Sequence, residues 1–200
     1  MSTEDATPDT GASDVTARPI PAEVLAATQG ARTVIAPTDE GRDDAYRQGR
    51  AAAIALCAAL KAKLILVDRA TESWWIDPYG SGSVTADTDL YSHGERPLDR
   101  AEVAALGHGD LVEQMDEAAA AGVEVAAYLG RRPGFRDLRE TLERIPVDVV
   151  VAVDWLEHPD LGDRFHLRSG FLDRLREVAS SRTVVVLSVD GTLRAYPPLA

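Results

Sequence analysis

Five short runs of apolar residues recur along the chain, and segments with apolar residues at helical spacing lie between them. The runs are Arg32–Pro37, Lys63–Asp68, Val123–Leu129, Val147–Val153 and Thr183–Val189. Strands that are apolar at nearly every position are typical of a parallel sheet covered on both faces. The spacing over Asp43–Ala62 and Asp110–Ala121, among other segments, predicts crossover helices. The pattern therefore predicts an α/β fold with an open parallel five-stranded sheet and helices on both faces.

A ligand crevice in such a sheet lies beyond the carboxyl ends of the strands, where the strand order reverses. With the Rossmann-like order 3-2-1-4-5, this point falls between strands 1 and 4. The residues at that point are Pro37-Thr38-Asp39 after strand 1 and Asp154 after strand 4. Asp39 has a structural alternative, because an acid at this place can also cap the first crossover helix. Both interpretations of Asp39, as a ligand contact and as a helix cap, stay open.

Three segments do not follow the alternation of predicted strands and helices. Residues 1–30 begin with a stretch of Ser, Thr, Asp, Ala and Pro that lacks large apolar side chains, so we expect a disordered or loosely docked tail. The folded domain is predicted over 31–192, and 193–200 is predicted to be a C-terminal tail. A polar segment, 69–98, carries Trp74, Trp75 and Tyr79, which we expect to cover a pocket, anchor an interface or fold back over the sheet end.

Composition and charge narrow the classes of partner. The chain has 200 residues, 45% of them hydrophobic, and its formal net charge of −12 repels phosphate backbones and anionic lipids. We therefore expect neither nucleic acid nor membrane as a partner, and the lack of an early apolar segment favours the cytoplasm. The single cysteine, Cys57, stands in an Ala-rich run and is predicted to fill the core. His158 and His166 lie in an acidic segment without metal-ligand spacing, so no metal is expected.

The arrangement over residues 32–190 resembles the universal stress protein family. The resemblance is carried by the first strand leading to Asp39, the Ala-rich first helix, the Lys63–Asp68 strand and the segment Ser169–Val189, in which Gly170 matches a family glycine. It implies an adenine nucleotide alpha hydrolase-like fold. It also implies that Asp39 faces a ribose, that Val67 presents backbone groups to a base, and that the chain forms a homodimer through its last strand.

The phosphate-binding loop of that family does not match. ATP-binding members carry Gly-x2-Gly-x9-Gly-Ser/Thr after strand 4, because glycines let backbone N–H groups close around phosphates. Counting back from Gly170 places Glu157 and Asp160 at the first two glycines, and Phe171 takes the hydroxyl position. Counting forward from strand 4 gives Val153 and Leu156 instead, which is no better. ATP or another adenine nucleotide is therefore disfavoured as a cofactor, whereas a nucleoside or other small ligand still fits.

These observations favour a non-catalytic, regulatory or stress-related domain with weak or absent ATP binding. Candidate ligand-binding residues are Pro37, Thr38, Asp39, Val67, Asp154 and Gly170. No catalytic residue is predicted, because no nucleophile stands beside a base in the pattern. Two alternatives remain: a protein–protein interaction module without a ligand, and a nucleotide-dependent enzyme.

Overall fold

The computed structural model describes residues 19–37, 44–68, 96–129, 134–153, 168–188 and 190–199. Within these ranges the strands are β1 Thr33–Pro37, β2 Lys63–Asp68, β3 Val125–Leu129, β4 Val149–Val153, β5 Thr183–Leu187 and β6 Leu193–Tyr196. The helices are α1 Ala22–Ala27, α2 Asp44–Leu60, α3 Arg100–Ala105, α4 Gly109–Ala120, α5 Gly134–Arg144 and α6 Arg168–Ala179. Among the described helices, none combines the length and the apolar composition that crossing a bilayer demands.

The strands form one sheet in the order β3-β2-β1-β4-β5-β6. The first five are parallel, which confirms the predicted α/β class and the order 3-2-1-4-5. The strand count differs from the prediction, because β6 pairs antiparallel with β5. Gly191 (φ +78°) and a hydrogen bond from the Thr192 N–H to Asp190 Oδ1 (2.8 Å) turn the chain back for this pairing.

Strand β6 corrects two predictions about the end of the chain. Residues 193–196 are a sheet strand rather than part of a tail, because Leu193 buries its side chain while Arg194 stays exposed. The prediction that Thr183–Val189 is the last strand of the sheet is also wrong, since β6 lies along β5. The opposite edge carries a smaller addition, where Leu98 pairs antiparallel with Ala127 of β3.

Two apolar layers cover the sheet. On one face α1 to α4 pack over residues such as Val34, Leu64 and Leu66. On the other face α5 and α6 pack over residues such as Ile35 and Ile65. Successive residues of β1 and β2 point to opposite faces, and both faces are buried, so these strands have to be apolar throughout.

Helix α1 shows that part of the predicted N-terminal tail belongs to the domain. Val24 is fully buried in the same cluster as the α2 and α4 residues. The Thr28 hydroxyl donates to the Val24 carbonyl (2.7 Å) and closes the end of the helix. The prediction of a disordered or loosely docked segment is therefore wrong for Ala22–Ala27, and residues 1–18 lie outside the described residues.

Candidate functional site

Backbone pairing across the seam between β1 and β4 ends before the carboxyl end of the sheet. Pairing across this seam stops at Ile35↔Val150, although β1 continues to Pro37 and β4 continues to Val153. On their other sides both strands remain paired up to their last residues. The unpaired strand ends therefore leave a gap in the backbone ladder at the point where the strand order reverses, which is where open α/β sheets bind ligands.

Pro37 explains why the ladder stops there. In this parallel register the next hydrogen bond would run from the N–H of residue 37 to the Val151 carbonyl, and proline has no N–H. Proline is rarely found inside a central strand for the same reason. Pro37 is buried, and it ends β1 just where the predicted crevice begins.

The amino end of the same seam is held by Asp148. Its Oδ2 accepts hydrogen bonds from the backbone N–H groups of Arg32 (2.8 Å) and Thr33 (3.0 Å). The Asp148 N–H donates to the Thr33 carbonyl (3.0 Å). The seam is therefore joined by extra hydrogen bonds at its amino end and unpaired at its carboxyl end.

Gly49 lets helix α2 approach the carboxyl end of β4. A Cβ atom placed on Gly49 would lie 2.5 Å from Cγ2 of Val153, the last residue of β4. Carbon atoms in contact normally lie about 3.5–4.0 Å apart, so only glycine permits this helix position. Gly49 was not among the predicted residues, although an isolated glycine inside a helical pattern is a signal of close packing.

Arg50, the next residue of α2, was also missed. Only 7% of it is exposed, and its Nε donates to Glu117 Oε2 at 2.7 Å while Nη1 donates to Gln114 Oε1 at 3.2 Å. Both acceptors belong to α4. A buried charge needs such partners, since an unpaired one costs several kcal/mol. Arg50 therefore ties the part of α2 that contacts β4 to the neighbouring helix.

The structure brings two of the predicted site residues together. Pro37 and Val67 are paired in the β1–β2 ladder, near the carboxyl ends of both strands. Val67 is 1% exposed and its side chain packs in the apolar layer under α5 and α6, so any contact with a ligand would come from its backbone. Gly170 is the third residue of α6 and lies in the first turn of that helix.

The other predicted site residues cannot be placed. Thr38, Asp39 and Asp154 lie outside the described residues, as do Trp74, Trp75, Tyr79, His158 and His166. Residues 38–43, which lead into α2, lie outside the described residues as well, so both interpretations of Asp39, as a ligand contact and as a helix cap, stay predictions.

Cys57 is excluded as a nucleophile. It lies in α2 and is fully buried in the apolar layer between this helix and the sheet, which confirms the prediction that it fills the core. Burial raises the pKa of the Cys57 thiol to about 12, so the reactive thiolate is scarcely populated at neutral pH. Within the described ranges, no three His, Cys, Asp or Glu side chains are grouped as metal ligands would be.

Four chains among the solved structures match this one. No protein-family model matches the chain, and no curated protein does. A solved structure described as a universal stress protein in complex with cAMP is 19% identical, with a TM-score of 0.46, and the match covers 78% of this chain and 95% of that chain. A TM-score of this size does not indicate a ligand for this chain. Evidence for a ligand site has to come from the geometry of the β1–β4 seam.

Proposed function

We propose that this domain is a non-catalytic, regulatory module of the universal-stress-protein type that binds a nucleoside or similar small ligand at the β1–β4 seam. ATP binding is weak or absent in this proposal. A cytoplasmic setting belongs to it as well, since one buried cysteine and no disulfide framework suit a reducing compartment.

The observation that carries the proposal is the end of the β1–β4 pairing just before Pro37. The break in pairing lies at the topological switch point and nowhere else along β1, whose other ladder runs to its end. In the sequence, Asp39 follows Pro37 by two residues and Asp154 follows Val153 directly. A carboxylate accepts hydrogen bonds only, so an acid at this place suits the hydroxyl groups of a ribose.

Charge disfavours a triphosphate at the same place. The segment that follows β4 contains four acids, Asp154, Glu157, Asp160 and Asp163. Each carboxylate within a few ångströms of a phosphate costs about 1 kcal/mol even in water. A nucleoside avoids this penalty, because it carries no phosphate.

Ligand-dependent thermal unfolding tests the proposal. Adenosine, AMP and ATP are compared, and adenosine at a hundredfold excess over its Kd should stabilise the fold by about 2.7 kcal/mol. For a chain of this size that corresponds to a rise in Tm of roughly 5–10 °C. ATP should give a much smaller rise, because the acids after β4 repel its phosphates.

Two proline variants make the test specific for the seam. Pro37→Ala restores an N–H to β1, so we expect the β1–β4 ladder to extend and the rise with adenosine to fall by about half or more. Pro197→Ala, just beyond β6, is the matched control and should leave the rise unchanged.

Three results would contradict the proposal. A rise with ATP as large as with adenosine would mean that the phosphates are accommodated. No rise with any of the three ligands would favour the interaction module. Hydrolysis or transfer of the ATP phosphates would favour the nucleotide-dependent enzyme.

A further inference from the structure

Strand β6 occupies the whole length of β5. Four residue pairs join the two strands, from Leu187↔Leu193 to Val184↔Tyr196. The pairing continues beyond both ends, where the Ser188 N–H donates to the Thr192 carbonyl at 2.9 Å and the Leu199 N–H donates to the Ser180 carbonyl at 3.2 Å. All five residues of β5 are buried.

Side chains from both helical layers hold β6 in place. Leu193 is 6% exposed and belongs to the apolar layer that also contains Val24 of α1. On the opposite face, the Arg176 guanidinium lies 5.8 Å from the centre of the Tyr196 ring, and its Nη2 donates to the Pro197 carbonyl at 3.5 Å. Strand β6 is therefore packed on two sides and is not a loosely attached end.

The outer edge of β6 offers little to a further strand. Because the Thr192 carbonyl faces β5, alternation turns the backbone groups of Leu193 and Ala195 outward. The next outward position is Pro197, which has no N–H to donate. If two copies paired antiparallel through Leu193 and Ala195, Arg194 would lie directly opposite the same residue of the second copy. Like charges in that position are destabilising.

We propose that β6 is an intramolecular cap, which takes the place that a strand of a second chain would need beside β5 and so keeps this protein monomeric. The proposal replaces the expected homodimer, whose basis was a free β5 edge. It does not depend on any ligand. An uncapped β5 would expose the backbone groups and side chains of a Val-rich strand, and such edges pair with other chains.

Sedimentation equilibrium of the full chain is the first test. We expect a mass of 21.5 kDa, constant from about 1 to about 100 micromolar, because mass action would reveal any weaker dimer within that range. A dimer that persists at the lowest concentration would overturn the proposal.

A matched pair of variants is the second test. Leu193→Asp puts a carboxylate into the apolar layer, so β6 should detach and the mass should rise with concentration. Thr192→Asp adds the same charge at an exposed position and should remain monomeric. Circular dichroism reports whether each variant is folded. If Leu193→Asp unfolds, Leu193→Ala removes the contact without a charge and is measured in the same way.

Hydrogen exchange at β6 completes the test. In the variant that remains folded, fast exchange of the Arg194 and Tyr196 N–H groups shows that β6 has detached from β5. Fast exchange together with a rising mass supports the proposal. Fast exchange with a mass that stays at one chain would overturn it, since β5 would then be uncovered without attracting a second copy.

Discussion

Replacing Gly49 with alanine should destabilise the domain, even though alanine is the better helix former. Gly49 lies inside α2, where the exchange alone would stabilise the helix by about 1 kcal/mol. The new Cβ would lie 2.5 Å from Cγ2 of Val153, more than 1 Å closer than an ordinary carbon contact of about 3.5–4.0 Å. Val153 is 2% exposed and β-branched, so it has few other rotamers to adopt.

The size of the effect follows from these two opposing contributions. Forcing an additional carbon into a packed site costs about 1–3 kcal/mol. Because relief requires α2 to move away from β4, we take the upper end of that range. Subtracting the gain of about 1 kcal/mol in helix propensity leaves a net loss of about 2 kcal/mol for Gly49→Ala.

Shortening Val153 should reverse the effect. Val153→Ala alone removes two buried methyl groups, which costs about 2 kcal/mol once the cavity is included. In the double variant, the alanine Cβ at position 49 fills part of that cavity. We expect a total loss of about 1 kcal/mol instead of the sum of about 4, which is a coupling free energy of about 3 kcal/mol.

Chemical denaturation followed by circular dichroism measures all four chains of this cycle. Gly109→Ala is the matched control, since a Cβ at that helical position would meet nothing within 4 Å. It should leave stability unchanged or raise it by up to about 1 kcal/mol. If Gly49→Ala is as stable as the native chain, or if the two single losses simply add, the close approach of α2 to β4 is not the reason that position 49 requires glycine.

Three further predictions concern the rest of the domain. Thr141 is fully buried and its Oγ1 has no hydrogen-bond partner in the described part of the chain, so Thr141→Val should raise the free energy of unfolding by about 1 kcal/mol; a lower denaturation midpoint would contradict this. Lys61, which directly follows α2, has a φ of 55°, so Lys61→Gly should stabilise the fold by about 0.5–1 kcal/mol. Gly122→Ala, at a φ of 76°, should destabilise the fold by a similar amount in the same assay. Hydrogen bonds from Arg100 hold the pKa of Asp116 below its usual value, so this pair stabilises the fold above the unfolded-state pKa and stops doing so as pH falls through the folded-state pKa. Nuclear magnetic resonance titration should therefore place the Asp116 midpoint lower in the native chain than in Arg100→Gln, and equal midpoints would refute the pairing.

The parallel strands could be predicted because each is a nearly continuous apolar run, and that pattern depends only on burial of both faces. Strand β6 could not. Its four residues, Leu193–Tyr196, have only one buried side chain, include an exposed arginine and are followed by a proline, so their composition does not differ from that of a tail. Helix α1 was missed for a similar reason, because six residues with one fully buried side chain give too little periodicity to detect.

The position of the candidate site is a prediction from the topology, and its local geometry could not be predicted. Pro37 was chosen because it lies where the strand order reverses, and Val67 because the resemblance to the universal stress protein family implied it; the β1–β2 ladder pairs the two. Pro37 interrupts pairing with β4 and not with β2, because an N–H at this position would point toward β4. That direction follows from the register between strands that are far apart in sequence. The contact between Gly49 and Val153 depends on tertiary packing in the same way.

The seam between β1 and β4 also divides the chain by its order of synthesis. One wall belongs to the half of the sheet built from β1, β2 and β3, and the other belongs to β4, β5 and β6. Thr33 and Asp148, which meet across the seam, are 115 residues apart. At ribosomal rates the second wall follows the first by roughly 6–20 s, so the seam, and with it the proposed ligand site, can form only after β4 has been synthesised.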